Sequence, residues 1–309
     1  SNSFNHCESL TTIDISNIQS TSNAGQTFQY CTKLTKIIGI EKLVATRTKV
    51  AHSIFEHCES LESIDISGWD TSGCNQLGTP SSYAYGGMFA SCYKLKTITG
   101  LNNIKFSGLS GGSTNFSLGK FFRNCYELTS LDLSSWDVSK IVDFGEMFYG
   151  CKKLQTLNLT GWDVSLNTTY GGMFYGCTSL TEIKGTETWT KDATTTGMYQ
   201  KTPLLNTYYV PLNDSSSGWY NNKIFTGDSS LASKTIVWKN EINYSFGLVN
   251  LTEPNGVYLS QKHVQDLIPE HLGDLTATGK TATLTLGGYS SYLTEDEIAQ
   301  AVAKGWVVQ

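Results

Sequence analysis

The chain has 309 residues, a net charge of -5 and a sequence pI near 5.6, which leaves no general basic surface for nucleic acid. It contains no run of eighteen apolar residues, so no membrane-spanning helix is expected, and its start SNSFNHCESL has neither the basic residues nor the apolar segment of a signal peptide. Only 16% of residues are charged while Ser, Thr, Asn, Gly and Tyr abound, a balance that favours an exported or surface protein; the missing Met reads as a mature or trimmed chain whose leader has been removed.

From Phe4 onward the chain repeats itself. Aligned on Phe-x-x-Cys-x-x-Leu-x-x-(Ile/Leu), it reads FNHCESLTTIDI from Phe4, FQYCTKLTKIIGI from Phe28, FEHCESLESIDI from Phe55 and FASCYKLKTITGL from Phe89. It continues with FRNCYELTSLDL from Phe122, FYGCKKLQTLNL from Phe148 and FYGCTSLTEIKG from Phe174. A worn eighth copy, YQKTPLLNTYYVP from Tyr199, has Tyr for Phe, Thr202 for Cys and keeps Leu205, as suits a terminal unit whose outer face has no neighbour. The Cys-to-Cys steps are 24, 27, 34, 33, 26 and 26, so one turn takes 26 residues where nothing is inserted.

Within a copy, Leu131 and Leu133 alternate with Ser130 and Asp132, the period of a strand with one buried side. Phe148 and Cys151 lie three apart, as on one face of a helical turn, with Tyr149 and Gly150 turned outward. One short strand per turn, stacked at the interstrand spacing of about 4.8 Å, predicts a solenoid with like residues over like. Its core column contains Phe55, Cys58, Phe89, Cys92, Phe122, Cys125, Phe148, Cys151, Phe174 and Cys177. After the strand, SGWDTS at Ser67, SSWDVS at Ser134 and TGWDVS at Thr160 place Trp69, Trp136 and Trp162 in a bend. There Asp70, Asp137 and Asp163 can accept backbone N–H groups.

Stacked parallel side chains do not converge to the Cβ separation of about 3.8 Å that a disulfide prefers, so the seven repeat-position cysteines are expected as free buried thiols. Cys74 lies off that position and is the candidate exposed thiol. The two long steps carry insertions, residues 73–87 and 105–120, rich in Tyr, Ser, Gly and Asn like recognition loops. Tyr83, Tyr85 and Phe116 are their candidate contact residues; the competing reading is that the loops cover the flank of the coil. A second candidate surface is the exposed strand column of Asp65, Thr99, Asp132, Asn158 and Lys184.

Residues 1–212 are read as the solenoid and 213–245 as a cap or linker, with Trp219, Tyr220, Ile224 and Trp238 covering the last rung. Residues 246–309 are read as a small α/β module: LSQKHVQDLIPEHL as helix, TATLTLGG as strand, LTEDEIAQAVAKGW as a helix capped by Thr294 and Glu297 and stopped at Gly305, then a strand.

The copy MFYGCKKLQTLNLTGWDVS resembles the BspA-type bacterial leucine-rich repeats and the related surface-protein repeat M-F-x-x-C-x-x-L-x-x-L-D-L-S-x-W-D-[TV]-S. The likeness covers Phe4 to about Pro211; the second copy lacks Trp-Asp, the fourth ends in ITGLNNI and the seventh has TWTKD. It implies an α/β leucine-rich-repeat solenoid on a bacterial cell surface, adhesive to host matrix or other cells, and no enzyme. The tail resembles a segment recurring in the same surface proteins and in some phage-associated ones, with no activity attached.

Chemistry-bearing motifs are sparse. His6 and His57 precede core cysteines and should face outward, which leaves no His-Cys pair to share a zinc ion. GLSGGSTNF lacks the Lys-Ser/Thr of a phosphate loop, and no carboxylate pair stands out as in a glycosidase. Asp14, Asp65 and Asp132 share a strand column with Ile38 and Thr99 between them, which suits solvated acids better than a calcium ladder. No metal or cofactor is expected. The reading is a noncatalytic, extracellular adhesion or ligand-binding module whose partner is a host matrix protein, a mucin, or a protein or glycan of another cell. A spacer or assembly part of a surface or phage appendage comes second and a carbohydrate-active enzyme third.

Overall fold

Each Phe-x-x-Cys segment closes a reverse turn, in which for example Cys151 N–H donates to the Phe148 carbonyl at 3.1 Å. The residue before Cys, or before Thr202 in the last copy, is left-handed every time: His6, Tyr30, His57, Ser91, Asn124, Gly150, Gly176 and Lys201 all have φ between 58° and 72°. The expected helical turn is therefore a tighter reverse turn, because a left-handed third residue stops helix propagation. Phe148 and Cys151 still point inward and are fully buried. Gly150, expected outside, is buried as well, against Asn124 of the preceding turn.

The computed structural model describes residues 3–19, 22–44, 48–83, 86–106, 116–189, 193, 197–211, 233–239, 248–250, 260–276, 282–285 and 291–309. One three-residue strand follows each of the first seven reverse turns: β1 Thr12–Asp14, β2 Lys36–Ile38, β3 Ser63–Asp65, β4 Thr97–Thr99, β5 Ser130–Asp132, β6 Thr156–Asn158 and β7 Glu182–Lys184. The longer β8 Thr207–Pro211 and β9 Thr235–Lys239 continue the parallel stacking. All pairs are parallel and in register, with Leu131 facing Leu157 and Leu157 facing Ile183 in the interior row.

The sheet is interrupted in three places, between β2 and β3, β4 and β5, and β7 and β8. The copies before these breaks share one feature: the strand runs directly into a left-handed glycine, Gly39, Gly100 or Gly185, and then a 3-10 helix at Ile40–Lys42, Leu101–Asn103 or Thr186–Thr188. These glycines press on the turn before them; a Cβ on any of the three would sit 2.4 Å from backbone atoms of Ser16, Ser67 or Leu159. On the flank of the stacked phenylalanines no such interruption occurs among the described residues. Phe28, Phe55, Phe89, Phe122, Phe148 and Phe174 each donate their N–H to a carbonyl of the following turn at 2.9 to 3.0 Å.

The core is a column of like on like. Rings stack from Phe4 through Phe28, Phe55, Phe89, Phe122, Phe148 and Phe174 to Tyr199, with centroids 5.4 to 6.0 Å apart. Beside them the seven repeat-position cysteines are free thiols, six of them buried as the spacing argument expects, whereas Cys7 of the first turn is half-buried; Cys74 is free as well. Six of them form a ladder that sequence reasoning does not foresee: Sγ of Cys31, Cys58, Cys92, Cys125, Cys151 and Cys177 each donates to the carbonyl of the preceding copy's Phe at 3.0 to 3.2 Å. The indole N–H groups of Trp69, Trp136 and Trp162 reach back likewise, to the carbonyls of Ile40, Leu101 and Leu133 at 2.8 to 2.9 Å.

Cys74 corrects the sequence reading, for it is fully buried. It stands five residues after Trp69, where the later copies put the buried Ile141 and Asn167, and its N–H closes the same turn, onto Thr71. The chain is still on the coil there, since Gln76 pairs with Val50 in a parallel bridge. The inserted residues begin only beyond it.

In the C-terminal segment, β10 Leu248–Asn250, β11 Ala282–Thr285 and β12 Trp306–Val308 form a parallel sheet in that order, with α1 Gln261–His271 and α2 Glu295–Ala303 between successive strands. The Thr294/Glu297 capping box forms as expected, Gly305 is left-handed, and Ser260 with His263 makes a second box that opens α1. His263 is buried and its Nε2 meets the Lys234 carbonyl at 2.7 Å, joining α1 to the entry of β9. Trp219, Tyr220 and Ile224 lie outside the described residues, and Trp238 is described only by its backbone place in β9.

Candidate recognition surfaces

The strand column expected from sequence comes together in two parts. Asp65 lies opposite Thr99, and Asp132 opposite Asn158, which in turn lies opposite Lys184; the break between β4 and β5 separates the pair from the triplet. All but the half-buried Asn158 are exposed, whereas the intervening Ile64, Leu131 and Leu157 are buried. At the break between β2 and β3 the strand face opens into a groove of about 390 Å³, whose lining includes Lys36, Ser63, Asp65, Thr97 and Thr99.

The strand acids have local duties. Asp14, Asp65 and Asp132 each accept the N–H of the residue two ahead, Ser16, Ser67 or Ser134, at 2.9 to 3.0 Å, and Asn158 accepts Thr160 N–H in the same way. The serines at the corner, by hydroxyl and N–H together, hold the Asp65 and Asp132 carboxyls below the usual carboxylate value. Asp70, Asp137 and Asp163 accept backbone N–H groups at the second corner, as their position after Trp predicts. Among the described residues no three His, Cys, Asp or Glu side chains converge as metal ligands.

The first insertion is a strap laid across the coil. Ser117 Oγ donates to the Thr79 carbonyl at 2.7 Å, Ser81 N–H to Asp143 Oδ2 at 2.6 Å, Lys120 Nζ to the Tyr83 carbonyl, and Gly86 N–H to the buried Glu56 carboxylate at 3.1 Å. Tyr83 stands out from the strap at 58% exposure. Phe116 instead packs half-buried against the core, and Tyr85 lies outside the described residues, as do residues 107–115 of the second insertion.

A third surface was missed from sequence. Aromatic rings, half-buried except for the exposed His6, climb the flank beside the reverse turns: His6, Tyr30 and His57 stack at 4.5 Å, Tyr93 stacks on Tyr126 at 4.9 Å, and Tyr149 on Tyr175 at 4.5 Å. Lys152 sits over Tyr126, Arg123 over Tyr149 and Lys201 over Tyr175. His6 and His57 do face outward, as expected. The signal was the recurrence of aromatic residues one position after Phe and on either side of Cys.

Two family models match the chain. Residues 1–116 match the BspA type Leucine rich repeat region in six copies, and residues 113–238 match a Mycoplasma protein of unknown function, DUF285. No curated protein gives a significant match. Among solved structures, similarity extends to the leucine rich repeat protein of T. pallidum (18% identity, 66% of this chain, 69% of that chain, TM-score 0.31). It extends also to a leucine rich cell surface protein of Faecalibacterium prausnitzii (18%, 81% and 71%, TM-score 0.34) and a leucine-rich repeat protein of Bacteroides ovatus (15%, 99% and 85%, TM-score 0.26). Those scores leave the fold to rest on the coil itself and on the repeat. Residues 1–116 are thus similar to the BspA-type leucine-rich repeats, and the same parallel coil continues through the segment that the second family model matches.

Proposed function

We propose that the chain is a noncatalytic recognition module of a bacterial cell surface, binding a protein or glycan of a host matrix or a neighbouring cell through its strand face. The supporting observation is the groove of about 390 Å³ at the break between β2 and β3, where polar side chains from both sides, Lys36 and Ser63 among them, stand around an apolar floor that includes Ile37, Leu61 and Ile64. Asp65 and Thr99 are its contact residues, with Asp132, Asn158 and Lys184 extending the surface; the exposed Tyr83 of the strap is a separate contact residue, on the reverse-turn flank. The thiols fit a structural role: burial raises Cys58, Cys92, Cys125, Cys151 and Cys177 far from the thiolate form a nucleophile needs, and Cys74 is pushed up to about 12. Among the described residues no helix is long and apolar enough to cross a membrane.

The test is label-free binding of the purified chain to matrix proteins, mucins and glycans, repeated with an Asp65→Ala/Thr99→Ala variant. Saturable binding that weakens at least tenfold in the variant supports the reading. A folded wild type that binds nothing, yet self-associates through residues after 246, replaces it with an assembly role.

A further inference from the structure

From the second turn on, each has a second left-handed position, two residues before the stacked ring: Gln26, Ser53, Gly87, Lys120, Glu146, Gly172 and Gly197, with φ from 51° to 102°. Four of these carry side chains, half-buried at Gln26 and Glu146 and buried at Ser53 and Lys120. In the sixth and seventh copies the column runs Glu146, Gly172 and then Gly197 in the eighth, so the side chains stop. A Cβ at Gly172 would sit 3.4 Å from Glu146 Cγ and 3.6 Å from Tyr149 Cδ2, and one at Gly197 3.6 Å from the Gln200 amide. The two missing side chains leave a cleft of about 390 Å³. Its walls include Tyr149, Tyr175, Glu146 and Gln200, and Ser81 and Ser82 of the strap form its rim.

The lining chemistry is specific. Both broad ring faces are taken: Tyr149 and Tyr175 stack on each other within 4° of parallel, with the Arg123 guanidinium 4.8 Å from the Tyr149 centroid and Lys201 Nζ 5.2 Å from that of Tyr175. The cleft therefore offers ring edges and hydroxyls rather than an open aromatic platform. Around them stand serine and threonine hydroxyls, a primary amide and glycine backbone, and among the described lining residues one charged group, Glu146, whose Oε2 accepts from Arg123 Nε at 2.8 Å. Such a set supplies both donors and acceptors and, among the described lining residues, no cation, so it suits a ligand dense in hydroxyls and without negative charge.

We infer that this cleft is a binding site for a neutral saccharide, of a size between one and a few sugar rings. The inference rests on the surface-recognition reading and deepens it, on a face that shares no lining residue with the strand groove.

The test is a microarray of neutral and acidic oligosaccharides probed with the full chain, followed by calorimetric titration of the neutral saccharide giving the strongest signal. Gly172→Gln places at this position a side chain that Gln26 already carries in the same left-handed conformation, and fills the cleft. Ser82→Trp blocks the exposed rim without touching the coil and serves if the first variant fails to fold. Either substitution is expected to weaken binding of the neutral saccharide at least tenfold. Binding confined to acidic glycans, or unchanged in both cleft variants, overturns the assignment. Absent glycan binding with matrix-protein binding retained removes the cleft site and keeps the recognition module; absence of both removes the two readings together.

Discussion

Replacing Phe122 by alanine tests the central claim that this is a one-dimensional stack. The Phe122 ring is fully buried, with Phe89 at 5.9 Å on one side, Phe148 at 5.7 Å on the other and Trp136 at 6.3 Å. A buried Phe→Ala change costs about 3 to 5 kcal/mol, and losing favourable aromatic contacts on both sides puts this one near the top of that range, about 5 kcal/mol. Phe4 is the control, since it stacks on Phe28 alone at 5.5 Å and is half-buried. Half the burial and one stacking partner give about 1 to 2 kcal/mol. In a solenoid whose stability sums repeat terms and nearest-neighbour interfaces, the first change weakens two interfaces and the second weakens one. Urea unfolding followed by tryptophan fluorescence, with Trp136 and Trp162 buried beside the column, reads both. Equal costs at Phe4 and Phe122 would refute the reasoning.

Two further predictions concern thiols and acid. In the native chain a thiol-specific reagent should modify half-buried Cys7 first and reach Cys74 only on unfolding; labelling of native Cys74 at the rate of a free thiol contradicts its burial. The Asp14, Asp65, Asp132, Asp137 and Asp163 carboxyls are each lowered from 3.8 by backbone and side-chain hydrogen bonds from the serine two residues ahead, so their contribution is present above the unfolded value and fades as pH falls through the lower folded values. Melting temperature should therefore drop below about pH 4, and Asp→Asn at these corners should flatten that drop while keeping the turn, as Asn158 already does. A profile that the five asparagine substitutions leave unaltered counts against the corner assignment.

The coil was legible because its core column uses few residue types. Phe, Cys and Leu recur at fixed offsets, and their period alone implies stacking. The left-handed positions were not legible, since His, Tyr, Ser, Asn, Gly and Lys occupy one of them and no shared chemistry marks it. Cys74 was misjudged because an insertion was measured from the cysteine position rather than from Trp69; the spacing WDTSGC against WDVSKI would have placed it with Ile141. The breaks in the sheet had a signal, the strand-glycine junctions IIG, ITG and IKG, but its meaning depends on how closely the backbone passes the turn before it. The cleft on the flank needed three dimensions, because Ser81 and Gln200 meet there only after the strap has crossed several turns.

The unequal continuity of the two flanks has a mechanical consequence. Hydrogen bonds run unbroken along the side of the stacked phenylalanines, while the strand side is divided into blocks of two, two, three and two strands. A rod built this way has a backbone on one side and joints on the other. It can change curvature by opening at the joints while every ring stays stacked, so tension or a bulky partner would be absorbed by flexing before any turn unravels.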